Sequence, residues 1–167
     1  DSGVINIGST TTISESYLMP YLKIFKERYP NVIINIKNDL TENLIKELRN
    51  GNLDIVILAY NNKNNIKDLE LNYLTELNDI FVSNKKCDKL DIKELLSKDL
   101  LLQKYPSVTR NNFNEFLKAN NLTCNIKMEV VSHCLLSKLA ENGFGIALLT
   151  KEFISDKLNK TLFEIKT

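Results

Sequence analysis

The sequence predicts an α/β chain built on mostly parallel sheet, and three observations say so. Short apolar, β-branched runs alternate with stretches in which apolar residues recur at helical spacing. Leu53 to Ala59 is almost continuously apolar, with Asp54 its only polar member, as in a strand buried on both faces between helices. A unit of strand, polar loop and helix occurs twice, once around Thr10 and once around Ser107. Two α/β lobes facing each other across a cleft are the simplest architecture that uses both loops.

Val4 to Ile7 reads as the first strand. It runs into Gly8-Ser9-Thr10-Thr11-Thr12, one glycine and four hydroxyls, and then into a helix over Ile13–Tyr29. Pro20 kinks that helix or marks the first turn of its main part. Val32 to Ile36 is a second strand. Thr41 is placed to cap the next helix, with Glu42 where the helix dipole favours an acid. Leu44, Ile45 and Leu48 line that helix, and Gly51 sits where a terminating glycine belongs. Residues 60–68 read as a surface loop, Leu69 to Leu77 as strand-like alternation, and Asp79 to Ser83 as a short strand.

The second half repeats the plan. Asp91 with Glu94 resembles a capping box. Leu100-Leu101-Leu102 is a buried strand leading to the loop Gln103–Arg110, and a helix follows with Phe113, Phe116 and Leu117 on one face. Lys127 to Val131 is a strand. Ser132 caps a helix that turns Leu135, Leu136, Leu139 and Ala140 inward and stops at Gly143. Ile146 to Leu149 is a core strand, and Glu152 to Leu158 a short helix.

Composition excludes several functions. The 167 residues are 43% hydrophobic and 26% charged, as expected of a packed chain. Lys plus Arg is 22 against 21 acids, so there is no basic field for nucleic acid. No apolar run approaches the roughly 20 residues that span a bilayer. Three cysteines without paired spacing, Cys87, Cys124 and Cys134, point to a reducing compartment. His133 is the sole histidine, and no Gly-x-Ser-x-Gly elbow exists, so no catalytic residue is expected. His133-Cys134 is not metal-ligand spacing, and the lone Gly8 is no nucleotide fingerprint, so neither metal nor cofactor is expected.

The hydroxyls have two readings. A helix entrance offers unpaired N–H groups and favours a small anion. Ser9 to Thr12 hold four hydroxyls where a cap needs one, which favours one wall of a ligand cleft. At Thr41, Thr109 and Ser132 a single hydroxyl is accounted for by capping alone. Arg110 would sit in a first helical turn, where the dipole does not favour a cation, so it pairs with an anion or stays solvated.

Ile7-Gly8-Ser9-Thr10, Tyr17-Leu18-Met19-Pro20 and Phe25 to Pro30 resemble the opening of the LysR-type transcriptional regulator effector-binding domain. Leu48, Gly51, Leu53-Asp54 and Ile55 match its L-x-x-G-x-L-D-hydrophobic segment. Pro106-Ser107-Val108-Thr109-Arg110 resembles its G-S-x-T-R loop, with proline in the glycine position, and Gly143 to Leu149 its G-x-G-I-A-L-L signature. The resemblance is collinear over almost the whole chain. It implies a two-lobed, type 2 periplasmic-binding-protein-like fold: two small mixed sheets flanked by helices, with two crossover strands. Lobe I would comprise residues 1–78 and 148–167, and lobe II residues 79–147.

The resemblance also places the site. Ser9, Thr10 and Thr11 fall on the cleft loop of the first lobe, Thr41 on the start of the second helix, and Ser107 and Thr109 on the second-lobe loop. It implies a non-enzymatic, cytoplasmic sensing domain for a small polar, anionic effector. A homodimer is implied, with DNA contacted only through a missing N-terminal domain and no membrane contact. A solute-binding protein for transport is the alternative on the same fold.

Overall fold

β1 (Gly3–Ser9), β2 (Val32–Asn38) and β3 (Ile55–Ile57) form a three-stranded sheet in the order β2-β1-β3, parallel throughout. The structure is a computed structural model that describes residues 2–60 and 66–167. Residues 61–65 of the expected 60–68 loop lie outside it. The chain divides into two units, Asp1–Thr75 and Glu76–Thr167.

In the first unit, Ile7 stands beside Ile36 on one side and Ile55 on the other, so the carboxyl ends of all three strands share one border. β1 is followed by α1 (Thr11–Ile13), a π-helical turn (Ser14–Leu18) and α2 (Met19–Arg28). The expected single helix is therefore broken early. Pro20 lies in the first turn of α2, and the wider turn before it accommodates a ring that clashes with a regular helix four residues back. α3 (Thr41–Arg49) buries Leu44 and Ile45 and ends before Gly51, whose φ of +73° suits glycine. A Cβ on Gly8 would stand 2.6 Å from Leu53 and 3.0 Å from Leu44. The missing side chain is what lets α3 seat on β1. β3 is shorter than expected and not buried on both faces, since Ile55 is half exposed.

The second unit holds β4 (Asp79–Ser83), α4 (Ile92–Ser97), β5 (Leu100–Gln103), α5 (Val108–Ala119), β6 (Ile126–Val130), α6 (His133–Glu141), β7 (Ile146–Thr150) and β8 (Phe163–Ile165). Its sheet runs β6-β5-β7-β4-β8; β5, β6 and β7 are parallel, and β4 is antiparallel to both neighbours. Helices cover both faces. Leu101, Leu136, Ala140, Ala147 and Leu149 pack in one layer, and Leu95, Leu96, Leu100, Leu102, Phe113 and Leu148 in the other. Burial on two faces explains why Leu100 to Leu102 read as an unbroken apolar run. At Gly145 a Cβ would lie 2.4 Å from the Asp99 carbonyl oxygen. Ile146 N–H donates to that same oxygen at 2.9 Å, starting the β5–β7 pairing.

Four expectations change. Leu69 to Leu77 forms no strand, with Leu71, Tyr73 and Leu74 exposed, and the segment joins neither sheet among the described residues. Glu152 to Leu158 is a 3₁₀ turn (Lys151–Phe153) followed by further turns, and the strand β8 was not anticipated. Leu135 is exposed and His133 takes the buried place on α6. Residues 148–167, assigned by the resemblance to the first lobe, hydrogen-bond here within the second sheet through β7 and β8.

Candidate functional site

Parallel pairing sets the loops after β1 and β2 side by side, and the first four predicted residues lie there. Ser9 is fully buried. Its hydroxyl bonds to that of Ser14, and Asn38 Nδ2 donates to Ser14 Oγ at 2.7 Å and to the Ser9 carbonyl at 3.1 Å. Ser9 therefore ties the end of β1 to the end of β2 and positions the loop from beneath. Thr10 caps α1, its Oγ1 accepting from Ile13 N–H at a long 3.5 Å. Thr11 is exposed.

Thr41 does not cap α3. The cap position belongs to Leu40, which has no polar atom to offer, and Thr41 is the first helical residue. The turn is held instead by Asp39, whose Oδ1 accepts from Asn43 Nδ2 (2.8 Å) and Leu40 N–H (2.7 Å). Those two donors hold its carboxyl below the usual carboxylate range. Among the described residues the Thr41 hydroxyl has no hydrogen-bond partner, so it and the uncapped first turn of α3 remain open to a ligand.

Ser107 and Thr109 lie at the carboxyl border of the second sheet. Ser107 is the cap of α5, accepting from Arg110 N–H at 3.0 Å. Thr109 Oγ1 donates to Asp79 Oδ1 at 3.0 Å, and Thr150 Oγ1 donates to the same oxygen at 2.8 Å. Asp79 opens β4 and Thr150 ends β7, and their Cα atoms are partners in the ladder. Neither was singled out in the sequence. Each looks like an ordinary strand terminus until the antiparallel register brings them together. Arg110 faces inward: Nε donates to Asn114, and Nη1 to the Gln103 carbonyl and to Glu129. It braces α5 against β5 and β6 and does not receive a ligand anion.

His133 is 4% exposed, lies edge-on to Phe153, and its Nε2 has no partner among the described residues. Burial, with Lys157 nearby, pushes its pKa down to about 4. Lys157 itself donates to Ser137 and Glu141 at 2.8 Å. All three cysteines are free thiols.

Open α/β sheets take ligands outside the carboxyl ends of their strands, and both borders carry helix entrances with hydroxyls. The model for the LysR substrate binding domain matches residues 1–165, so the chain belongs to that family. It is 25% identical over 154 residues to the uncharacterized HTH-type transcriptional regulator YybE of Bacillus subtilis, an alignment taking 89% of this chain and 52% of that protein. The chain thus spans about half the length of the curated relatives it matches. HinK, a LysR family regulator of Pseudomonas aeruginosa, superposes with a TM-score of 0.76 at 20% identity, over 99% of this chain and 59% of that one. The regulatory domain of Synechocystis CcmR, solved in complex with 2-PG, gives 0.75 at 17% identity, over 98% and 80%. The fold is that of LysR effector-binding domains, the type 2 periplasmic-binding-protein-like class. No helix among the described residues is long and apolar enough to cross a membrane.

Proposed function

We propose that this chain is the sensing domain of a DNA-binding transcriptional regulator of the LysR type, working in the cytoplasm as a homodimer. Its effector is a small polar metabolite with an anionic group. Thr10, Thr11 and Thr41 bind that group at the carboxyl border of the first sheet; Ser107 and Thr109, which the resemblance also named, are engaged by Arg110 N–H and by Asp79. DNA is contacted by a separate domain. The observation that carries this is the family match joined to one local feature: α3 begins without a capping side chain and with the Thr41 hydroxyl unengaged. That leaves N–H groups and the positive end of the helix dipole available to an anion. A ligand acts on such a regulator only through its unequal affinity for two arrangements of the protein.

A panel of metabolites in a thermal-melting assay tests it. At about 100 times its dissociation constant, an effector stabilises by about 2.7 kcal/mol. For a chain of this size that raises Tm by about 5–10 °C. Thr41→Ala and Thr10→Ala each remove the shift. A panel that moves nothing, or an effector whose affinity survives both substitutions, overturns the assignment.

A further inference from the structure

The second unit carries a hollow of about 470 Å³ at the border opposite Ser107 and Thr109, within the size range of small-molecule sites. It opens where β7 starts, at Gly145 and Ile146, and where the antiparallel β4 ends, at Ser83. From Ile146, β7 carries the chain about 13 Å to Thr150, at roughly 3.3 Å per residue, so the hollow and the hydroxyl-bearing border are separate. Leu90, Ile146 and Ile165 give it an apolar floor that belongs to the core layer under α4. One wall is the loop between β4 and α4, and hydrogen bonds hold that loop at both ends. Ser83 Oγ donates to the Lys85 carbonyl at 2.6 Å, and Leu90 N–H donates to the Lys166 carbonyl at 3.0 Å. The charges at the rim are unequal. Glu94 pairs with Lys98 at 3.4 Å, and Asp99 takes Asn125 Nδ2 at 3.0 Å and meets Lys127 at 3.9 Å. Among the described residues Lys85 and Lys86 form no ion pair; the Lys86 ammonium stands 5.6 Å from the centre of the Phe163 ring.

We propose that this hollow is a second ligand site, built for an amphipathic organic acid: a carboxylate on an aliphatic or aromatic body. The body covers Leu90, Ile146 and Ile165, and Lys85 and Lys86 hold the carboxylate through charge-assisted hydrogen bonds. The rim acids are already paired with cations or amides, so they leave the two free ammoniums to set the sign of charge the hollow accepts. The ligand is unlike the small polar effector proposed for the first sheet, and the site stands or falls independently of that reading.

Calorimetric titration of the 167-residue chain with octanoate and 2-naphthoate tests it, beside 1-octanol and octylamine, which have an apolar body without the negative charge. At least one of the two acids binds more tightly than the alcohol and the amine, by about tenfold or more. The double variant Lys85→Met, Lys86→Met keeps the side-chain stems and the melting temperature and loses that preference. Cys87, an exposed thiol on the same rim, reports where the acid sits. Its alkylation by iodoacetamide, followed by mass spectrometry, slows severalfold when the acid is bound, while the half-buried Cys124 and Cys134 react as before. The site is overturned if neither acid binds, if the alcohol or the amine binds as tightly, if bound acid leaves Cys87 unprotected, or if the folded double variant keeps the wild-type preference. The thiol footprint is read on the wild-type chain, so it decides even where the double variant fails to fold.

Discussion

The entrances to α3 and α5 come from the same strand–loop–helix plan, and each carries a threonine in its first turn, yet they end in opposite states. At α3 the cap position is Leu40, so Thr41 keeps its hydroxyl and the turn is held by Asp39 from outside the helix. At α5 the cap position is Ser107, whose oxygen takes the Arg110 N–H, while Thr109 is bound to Asp79. One residue at the cap decides which entrance is chemically complete. Similar hydroxyl content thus conceals a donor-rich border in the first unit and an acceptor-rich one in the second.

That contrast can be pressed from its largest expected effect to its smallest. The third helix entrance, that of α6, is the most sensitive to pH. His133 stays neutral when folded, with its pKa lowered to about 4 by burial and by Lys157, which also faces Glu141. The unfolded imidazole, near 6.5, takes up a proton first as pH falls. Stability from the buried neutral ring is therefore intact above pH 6.5 and lost as pH drops toward 4, by up to about 3 kcal/mol. Chemical denaturation of the wild-type chain across that range should show the loss, and His133→Phe should flatten it. An equal slope in both chains would remove His133 as its origin.

Next comes the network beneath the first loop. Asn38→Leu strips a donor from Ser14 Oγ and from the Ser9 carbonyl, leaving the buried Ser9–Ser14 hydroxyl pair without its outside partner. A loss of about 1–3 kcal/mol is expected. Denaturant midpoints would measure it, and a loss within error would show that Ser9 and Ser14 hold the loop unaided.

The smallest effects bear most directly on the two entrances. Ser107→Ala should cost about 1 kcal/mol, because it removes a cap. Thr41→Ala should change stability by less than about 0.5 kcal/mol, because it removes none. Equal losses in matched melts would erase the difference between α3 and α5.

Much of this was legible in the sequence. Strand alternation, the terminating glycines at 51 and 143, and the caps at Asp91 and Ser132 follow from local rules that the structure keeps. Gly143 has a φ of +77°, as a left-handed helix end requires. The misses share a cause. Leu69 to Leu77 alternates like a strand but joins no sheet among the described residues, and Phe163 to Ile165 becomes a strand only because β4 offers an edge. Asp79 and Thr150 meet through a pairing between residues 71 positions apart. Period and propensity do not encode such meetings. At Thr41 the error was a single position, and one position separates a capping hydroxyl from a free one.

Gly145 carries a consequence for how this sequence can drift. With a backbone oxygen 2.4 Å from where a Cβ would sit, no neighbouring rotamer can make room. Gly51 has nothing within 4 Å, so its left-handed turn also tolerates asparagine. The two glycines look alike in the chain; the first is closed to change by its surroundings, while the second is limited only by its own backbone.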